Sequence, residues 1–201
     1  MTWYDEYKVD VPERQSGDYC VERFEVTEDD AKWERLRSIM AYSARSVPVT
    51  PGWYTRLVKG SGLLMSDTPA EIGDHLEAIR EAKGRVLING LGLGVVLQAV
   101  LKKPEVEHVT VIEVSPDVIA LVGSHYKERF GDRLDIIEAD ALTWQPPKGI
   151  RYDVVWHDIW DSICTDNLPD MHKLHRKYGR RTDWQGSWCR YICEQNKRQG
   201  Y

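Results

Sequence analysis

Residues 84–113, GRVLINGLGLGVVLQAVLKKPEVEHVTVIE, constrain the fold more than any other part of the chain. Val86, Leu87 and Ile88 form the short apolar run expected of a strand buried on both faces of a parallel sheet. It leads into Gly90-Leu91-Gly92-Leu93-Gly94 and then into an apolar helical segment over 95–102. A second apolar strand, over 109–112, ends on Glu113, nineteen residues past Gly94. Strand, glycine turn, helix, strand and terminal acid have the outline of a nucleoside-binding βαβ unit. The reasons are local: glycines turn the backbone sharply and let a ligand approach it, a helix start offers unpaired N–H groups, and a carboxylate suits ribose hydroxyls. Val95 stands where the dinucleotide pattern places its third glycine.

The segments on either side extend this unit. Residues 1–18 are polar, with Pro12 and Gly17, and read as a loose arm. Tyr, Val, Phe and Val alternate partly over 19–26, as in a strand. Thr27 followed by Glu28, Asp29 and Asp30 starts a helix to about Tyr42, with Trp33, Leu36 and Met40 on its packing face. Residues 47–52, with two prolines, are a rigid connector, and the strands 54–58 and 63–65 make a β-hairpin. Thr68-Pro69-Ala70-Glu71 opens a helix carrying Ile72, Leu76 and Ile79, which ends near Gly84. Beyond Glu113, Ser115-Pro116-Asp117 caps a helix over 118–130, and strands follow over 134–138 and 152–156. The rest reads as two helices, one over 169–178 and one capped by Asp183 and running from Trp184 to about Glu194. The expectation is an α/β protein in two units. Residues 1–67 form a small α+β module of strand, helix and hairpin; residues 68–201 form a short Rossmann-like, doubly wound parallel sheet of about four core strands with a helical C-terminus.

Composition narrows the class. A chain of 201 residues at 42% hydrophobic content can bury one substantial core. A net charge of −5 argues against a protein that coats nucleic acid. No apolar stretch is long enough to span a membrane and the start lacks a signal-peptide pattern, so a soluble cytoplasmic protein is expected. Cys20, Cys164, Cys189 and Cys193 form no CxxC pair and indicate no metal site; Cys189 and Cys193 read as buried thiols on one helix face. Eight tryptophans point to aromatic packing or a binding surface.

Ligands of open α/β sheets bind at the carboxyl ends of the strands. Here those ends carry the glycine turn, Glu113, Asp140 and Asp158, three acids converging on one rim. A nicotinamide dinucleotide would seat its pyrophosphate on the turn. S-adenosylmethionine would instead place its methionyl and ribose portions there, with Glu113 on the ribose and Asp140 on the adenine amine. The acid after the third strand, followed by Ala141, favours the second ligand.

The stretches VLINGLGLG, VTVIEVSPDVIALV, IIEADALTW and RYDVVWHDIWD resemble the successive cofactor motifs of class I S-adenosylmethionine-dependent methyltransferases, and within that superfamily the spermidine-synthase-like proteins. The resemblance covers residues 86–161. It implies a cofactor site made of Gly90, Leu91, Gly92, Gly94, Glu113, Val114, Asp140, Ala141 and Asp158, with Asp158 at the reacting end. Spermidine synthases resemble the chain in the Asp158-x-x-Asp161 pattern, where the first acid is implied to orient or deprotonate an amine and the second to anchor it. Their glycine motif carries an aspartate where this chain has Leu93, an acid implied to pair with the amine of decarboxylated S-adenosylmethionine. With leucine there the electrostatic bar to the intact cofactor is gone. The expected function is therefore methyl transfer from S-adenosylmethionine to an unidentified acceptor. Aminopropyl transfer and non-catalytic cofactor binding are the alternatives; NAD-dependent oxidoreduction is disfavoured by Val95 and by the missing later strands.

Methyl transfer requires a nucleophile aligned with an activated methyl group and, where needed, loss of a proton. Asp158 and Asp161 are the candidate catalytic residues; Ser66, Asp67, Trp156, His157 and Trp160 are candidates for substrate contact. Each has a plainer reading, as helix start, core aromatic or buried histidine. Residues 173–181, KLHRKYGRR, form a basic stretch that suits either a phosphate-bearing acceptor or simply a helix C-terminus. The negative charge favours a small-molecule or protein acceptor, nucleic acid staying open, and the tryptophans leave room for a homodimer.

Overall fold

In the computed structural model, which describes residues 2–41 and 47–200 and the backbone alone for 37–41, two sheets follow one another along the chain. The first is antiparallel, with β1 (Arg14–Ser16), β2 (Tyr19–Val26), β3 (Gly52–Lys59) and β4 (Gly62–Ser66) side by side in that order. Helix α1 (Glu28–Ala41) connects β2 towards β3. The second sheet holds β5 (Gly84–Asn89), β6 (Val106–Glu113), β7 (Leu134–Glu138), β8 (Tyr152–His157) and β9 (Thr182–Ser187), all parallel, in the order β7-β6-β5-β8-β9. Helices α2 (Pro69–Glu81), α3 (Val95–Leu101), α4 (Pro116–Val118), α5 (Ser124–Phe130), α6 (Leu168–Tyr178) and α7 (Arg190–Gln199) surround it.

Apolar side chains alternate between its two faces. Val86, Ile88, Val109, Val111, Val154 and Trp156 join one cluster, which also takes in Ile72 and Ile79 of α2 and Leu97 of α3. Leu87, Ile112 and Val155 point the other way, onto Leu174 and Tyr178 of α6. Burying each such aliphatic side chain contributes roughly 1.5–3 kcal/mol. The sheet is thus Rossmann-like and doubly wound. Its chain leaves β5 for β6 on one side and later returns to β8 on the other, which opens a crevice at the carboxyl end of β5.

Several sequence expectations are corrected. The fifth strand, β9, is not foreseen: TDWQGS is polar, yet it pairs with β8 from Tyr152↔Thr182 to His157↔Ser187. Its anchor is aromatic, because Trp184 stacks on Trp156 with ring centroids 6.4 Å apart. Gly186 makes room for that stack; a Cβ there would lie 2.6 Å from the Trp184 ring and 2.9 Å from the Trp156 ring. The last helix accordingly begins at Arg190 rather than Trp184. Cys189 precedes it in a left-handed conformation, so it is not on a helix face with Cys193, though both thiols are buried.

The first eighteen residues are not a loose arm. Tyr4, Val9 and Val11 are buried, and β1 pairs with β2. Asp67 holds this segment through Val9 N–H and Thr55 N–H, at 3.1 and 2.7 Å. On α1, Trp33 and Leu36 are exposed (62% and 44%), contrary to the packing face expected of them. The Met40 side chain and Tyr42 lie outside the described residues. The helix start at Thr27 does form as a reciprocal cap: Asp30 N–H donates to the threonine hydroxyl and Thr27 N–H to the Asp30 carboxylate. Thr68, in contrast, makes no capping bond with its side chain, and Glu71 accepts from Ser66 N–H instead. The helix expected over 118–130 contains a π-helical turn, Ile119–Gly123, between α4 and α5.

Candidate functional site

The glycine turn is shaped by conformations that side chains resist: φ is +95° at Gly90, +51° at Gly92 and +81° at Gly94. At Gly90 the reason is close approach, since a Cβ there would lie 1.8 Å from the backbone oxygen of Asp158. This contact lets the chain leaving β8 cross the turn, and Asp158 N–H donates to Asn89 C=O at 2.7 Å. The neighbouring strand ends are fastened likewise, by Gly90 N–H to Ile112 C=O and Ala139 N–H to Glu113 C=O. Met65 of β4 covers the turn; its sulfur accepts from Leu93 N–H at 3.2 Å. A Cβ on Gly92 would meet that sulfur at 2.7 Å.

Glu113 is buried, and its two carboxylate oxygens accept from Leu91 N–H and Ser115 N–H, both at 2.8 Å. A carboxylate has about four acceptor positions, so the orientation is fixed while capacity for hydroxyl donors remains. Asp140 is exposed at the end of β7, where one oxygen accepts from Leu142 N–H at 2.8 Å. Asp158 is different. Burial raises its pKa to about 8, and the charges of Glu71, Asp74 and Glu113 add to the effect, with the Trp156 indole opposing them. Its side chain keeps 17% of its surface and stands 3.8 Å from Nε2 of His75.

These groups line a cavity of about 620 Å³. Of the residues expected at the site, Gly90, Gly92, Glu113 and Val114 form the part nearest the turn, and Asp140 and Ala141 the part beneath β7. Asp158, Trp160 and Asp161 form the wall beyond β8. Asp161 is exposed; Trp160 is half-buried, packing on Leu168, Met171 and Cys193. Six carboxylates, from Glu71, Glu113, Asp140, Asp158, Asp161 and Asp170, line the space, and no lysine or arginine does among the described residues.

Other expected residues lie elsewhere. Leu91 and Gly94 belong to the turn but not to the wall: Leu91 packs into the core, and a Cβ on Gly94 would strike the Tyr126 ring at 2.3 Å. Leu93, whose identity weighs on the choice of cofactor, is wholly buried in the core. Ser66 is buried against Thr68, and Asp67 is spent on the backbone amides of the N-terminal module. Trp156 is buried between Trp184 and His75. His157 points to the opposite face of the sheet, where Nδ1 accepts from Asn89 and Nε2 faces Gln185 at 3.4 Å. Burial and the nearby His175 push its pKa down to about 3, so it is neutral at physiological pH.

Sequence reasoning missed His75, Glu71, Asp170, Met65 and Trp188, all of which line the cavity. For His75 a signal exists: it shares the buried stripe of α2 with Ile72 and Ile79 at helical spacing. The basic stretch has a partly structural use. Lys177 donates to the carbonyls of Ala141, Leu142 and Trp144, at 2.8, 3.1 and 2.8 Å, and so clamps the loop that follows Asp140.

No family model matches the chain. It is 36% identical over 94 residues to each of two proteins of Ralstonia nicotianae (strain ATCC BAA-1114 / GMI1000), polyamine aminopropyltransferases 1 and 2. These matches cover 43% of this chain and 18% of each relative, so the chain spans under a fifth of their length. Among solved structures, the 23S rRNA methyltransferase ErmE is similar with a TM-score of 0.46 at 14% identity, over 57% of this chain and 44% of that one. The N-methyltransferase NodS from Bradyrhizobium japonicum WM9 gives 0.43 at 15%, over 55% and 61%.

Proposed function

We propose that the chain is an S-adenosylmethionine-dependent methyltransferase whose acceptor is a cationic amine, either a small molecule or a lysine side chain of a protein. The observation that carries this reading is the cavity at the switch point, where the glycine turn meets the strand-end acids Glu113, Asp140 and Asp158. The cofactor fits what is there. Gly90 and Gly92 line the cavity with bare backbone, Glu113 is held ready for ribose hydroxyls, and Asp140 is exposed at the rim where an adenine amine would lie. Val114 and Ala141 supply flanking apolar surface.

When bound, the cofactor supplies a sulfonium methyl group activated for in-line attack. The chain's own residues must place the acceptor, exclude water and accept a proton. Six carboxylates without a compensating lysine or arginine favour positively charged contents and oppose a phosphate-bearing acceptor. In its ionised form Asp158 takes the proton of the acceptor ammonium, leaving the nitrogen lone pair free to attack. A carboxyl raised to about 8 narrows the gap to an amine near about 10, so this transfer costs less than it would to an ordinary carboxylate. Asp161 offers an exposed anchor for a second positive charge.

Aminopropyl transfer is the second reading. It is favoured by the names of the two Ralstonia proteins and by the acid-lined cavity, which compensates for a Leu93 buried away from it. Calorimetry with S-adenosylmethionine, its demethylated product, the decarboxylated form and NAD separates the readings. Binding of the first two, at least tenfold weaker in Glu113→Ala, is expected. Preference for the decarboxylated form would transfer the proposal to aminopropyl transfer, and binding of NAD alone, or of none, would sink both.

A further inference from the structure

His75 enters the cavity wall from α2, a helix whose other site-facing groups are acidic. The residue is 1% exposed, its ring stands edge-on to Trp156 with centroids 6.0 Å apart, and Nε2 lies 3.8 Å from Oδ2 of Asp158. It is the only side chain lining the cavity, among the described residues, that can carry a positive charge. Every other charge facing Asp158 is negative: Glu71 and Asp74 on α2, and Glu113 at the end of β6. The Trp156 indole is the remaining polar neighbour.

We propose that His75 is the positioning residue of Asp158, closing onto Oδ2 when the carboxyl ionises and leaving Oδ1 aimed at the acceptor's proton. The inference deepens the methyltransferase reading and rests on it for the identity of that proton. The physical need is clear. An ionised Asp158 stands among three carboxylates at low exposure with the Trp156 indole beside it, and a second donor, one able to carry positive charge, offsets the repulsion and fixes the orientation of the carboxylate. The gap of 3.8 Å is about 1 Å beyond hydrogen-bond contact, and Trp156 packs edge-on against the imidazole that must cross it. Trp156 is itself held by Trp184 of β9, so the strand at the sheet edge supports the pair from behind.

The test uses the free protein and needs no acceptor. Asp158 is titrated by the carboxyl carbon signal of aspartate-labelled protein and His75 by its imidazole nitrogen signals, in the wild type, His75→Gln, His75→Phe and Asp158→Asn. Expected is a shared midpoint for the two groups in the wild type. The Asp158 midpoint should move up by about one pH unit in His75→Phe, as loss of one hydrogen bond to a charged group implies, and by less in His75→Gln, whose amide can still donate. The His75 nitrogen signals should lose the shared transition in Asp158→Asn. An unchanged Asp158 midpoint in both His75 variants, or an imidazole blind to Asp158→Asn, overturns the proposal. If His75→Phe does not fold, His75→Gln and the imidazole signals of Asp158→Asn decide alone. Cofactor binding by calorimetry is measured on the same samples; its absence defeats the methyltransferase reading but leaves the proton coupling standing or falling separately.

Discussion

Glu113 and Asp158 stand on either side of β5 and face one cavity, yet the fold treats them in opposite ways. Glu113 receives two backbone N–H groups, both of which come from the turn and the loop it holds together. Asp158 receives no such pair among the described residues, and burial, together with the like charges around it, keeps its proton on. The difference separates a carboxylate fixed by its donors from one whose protonation state can change. A carboxylate whose donors are supplied in advance is a rigid fitting, whereas one kept short of donors changes protonation state near neutral pH, which is what proton transfer asks of it.

The largest expected effect removes what the two acids share. Gly90→Ala forces a methyl group into the Asp158 backbone oxygen at a φ of +95°, and should cost roughly 3 kcal/mol or more. Urea denaturation checks this; a variant as stable as the wild type would mean that β8 can pass the turn by another route. Next is Glu113→Gln, which keeps the shape but points an amide NH₂ at one of the two backbone donors. A loss of about 1–3 kcal/mol is expected at neutral pH, read by the same denaturation. A stability equal to the wild type would contradict the holding role.

Opposite in sign, and dependent on pH, is Asp158→Asn. A carboxyl whose folded pKa is about 8 against 3.8 in the unfolded chain binds its proton more tightly when folded. The wild type therefore loses stability as pH rises from about 4 to about 8, and the asparagine variant lacks that loss. Thermal melts should show the variant gaining steadily on the wild type from pH 4 to pH 8, with the gain levelling off above pH 8. A constant difference between the two from pH 4 to pH 8 would show that Asp158 ionises freely.

Sequence was most informative where one physical demand dominated. Buried parallel strands must be apolar, so β5, β6 and β8 are visible as runs, and Gly90 is visible because nothing else fits its contact with Asp158. β9 is hidden because its stability comes from one tryptophan stack and a glycine gap rather than alternation. Trp33 and Leu36 misled in the reverse direction, since apolar residues at helical spacing need not find a core. Asp67 and Lys177 act on residues 58 and about 35 positions away, and such partners leave no local trace. His75 was legible in principle, as a polar residue on an apolar stripe, but its meaning depends on Asp158 arriving from another strand.

That arrival has a consequence for the order in which the protein can become itself. The backbone contact between Gly90 and Asp158, and the side-chain bond between Asn89 and His157, 68 residues apart, tie the turn to a strand made much later. During synthesis, at roughly 5–20 residues per second, the glycine turn emerges several seconds before β8 and longer still before the tryptophan of β9. Throughout that interval the nascent chain carries Glu113 and the turn without Asp158. The firmly held acid is made first, and its counterpart joins it only when the sheet closes on its far side.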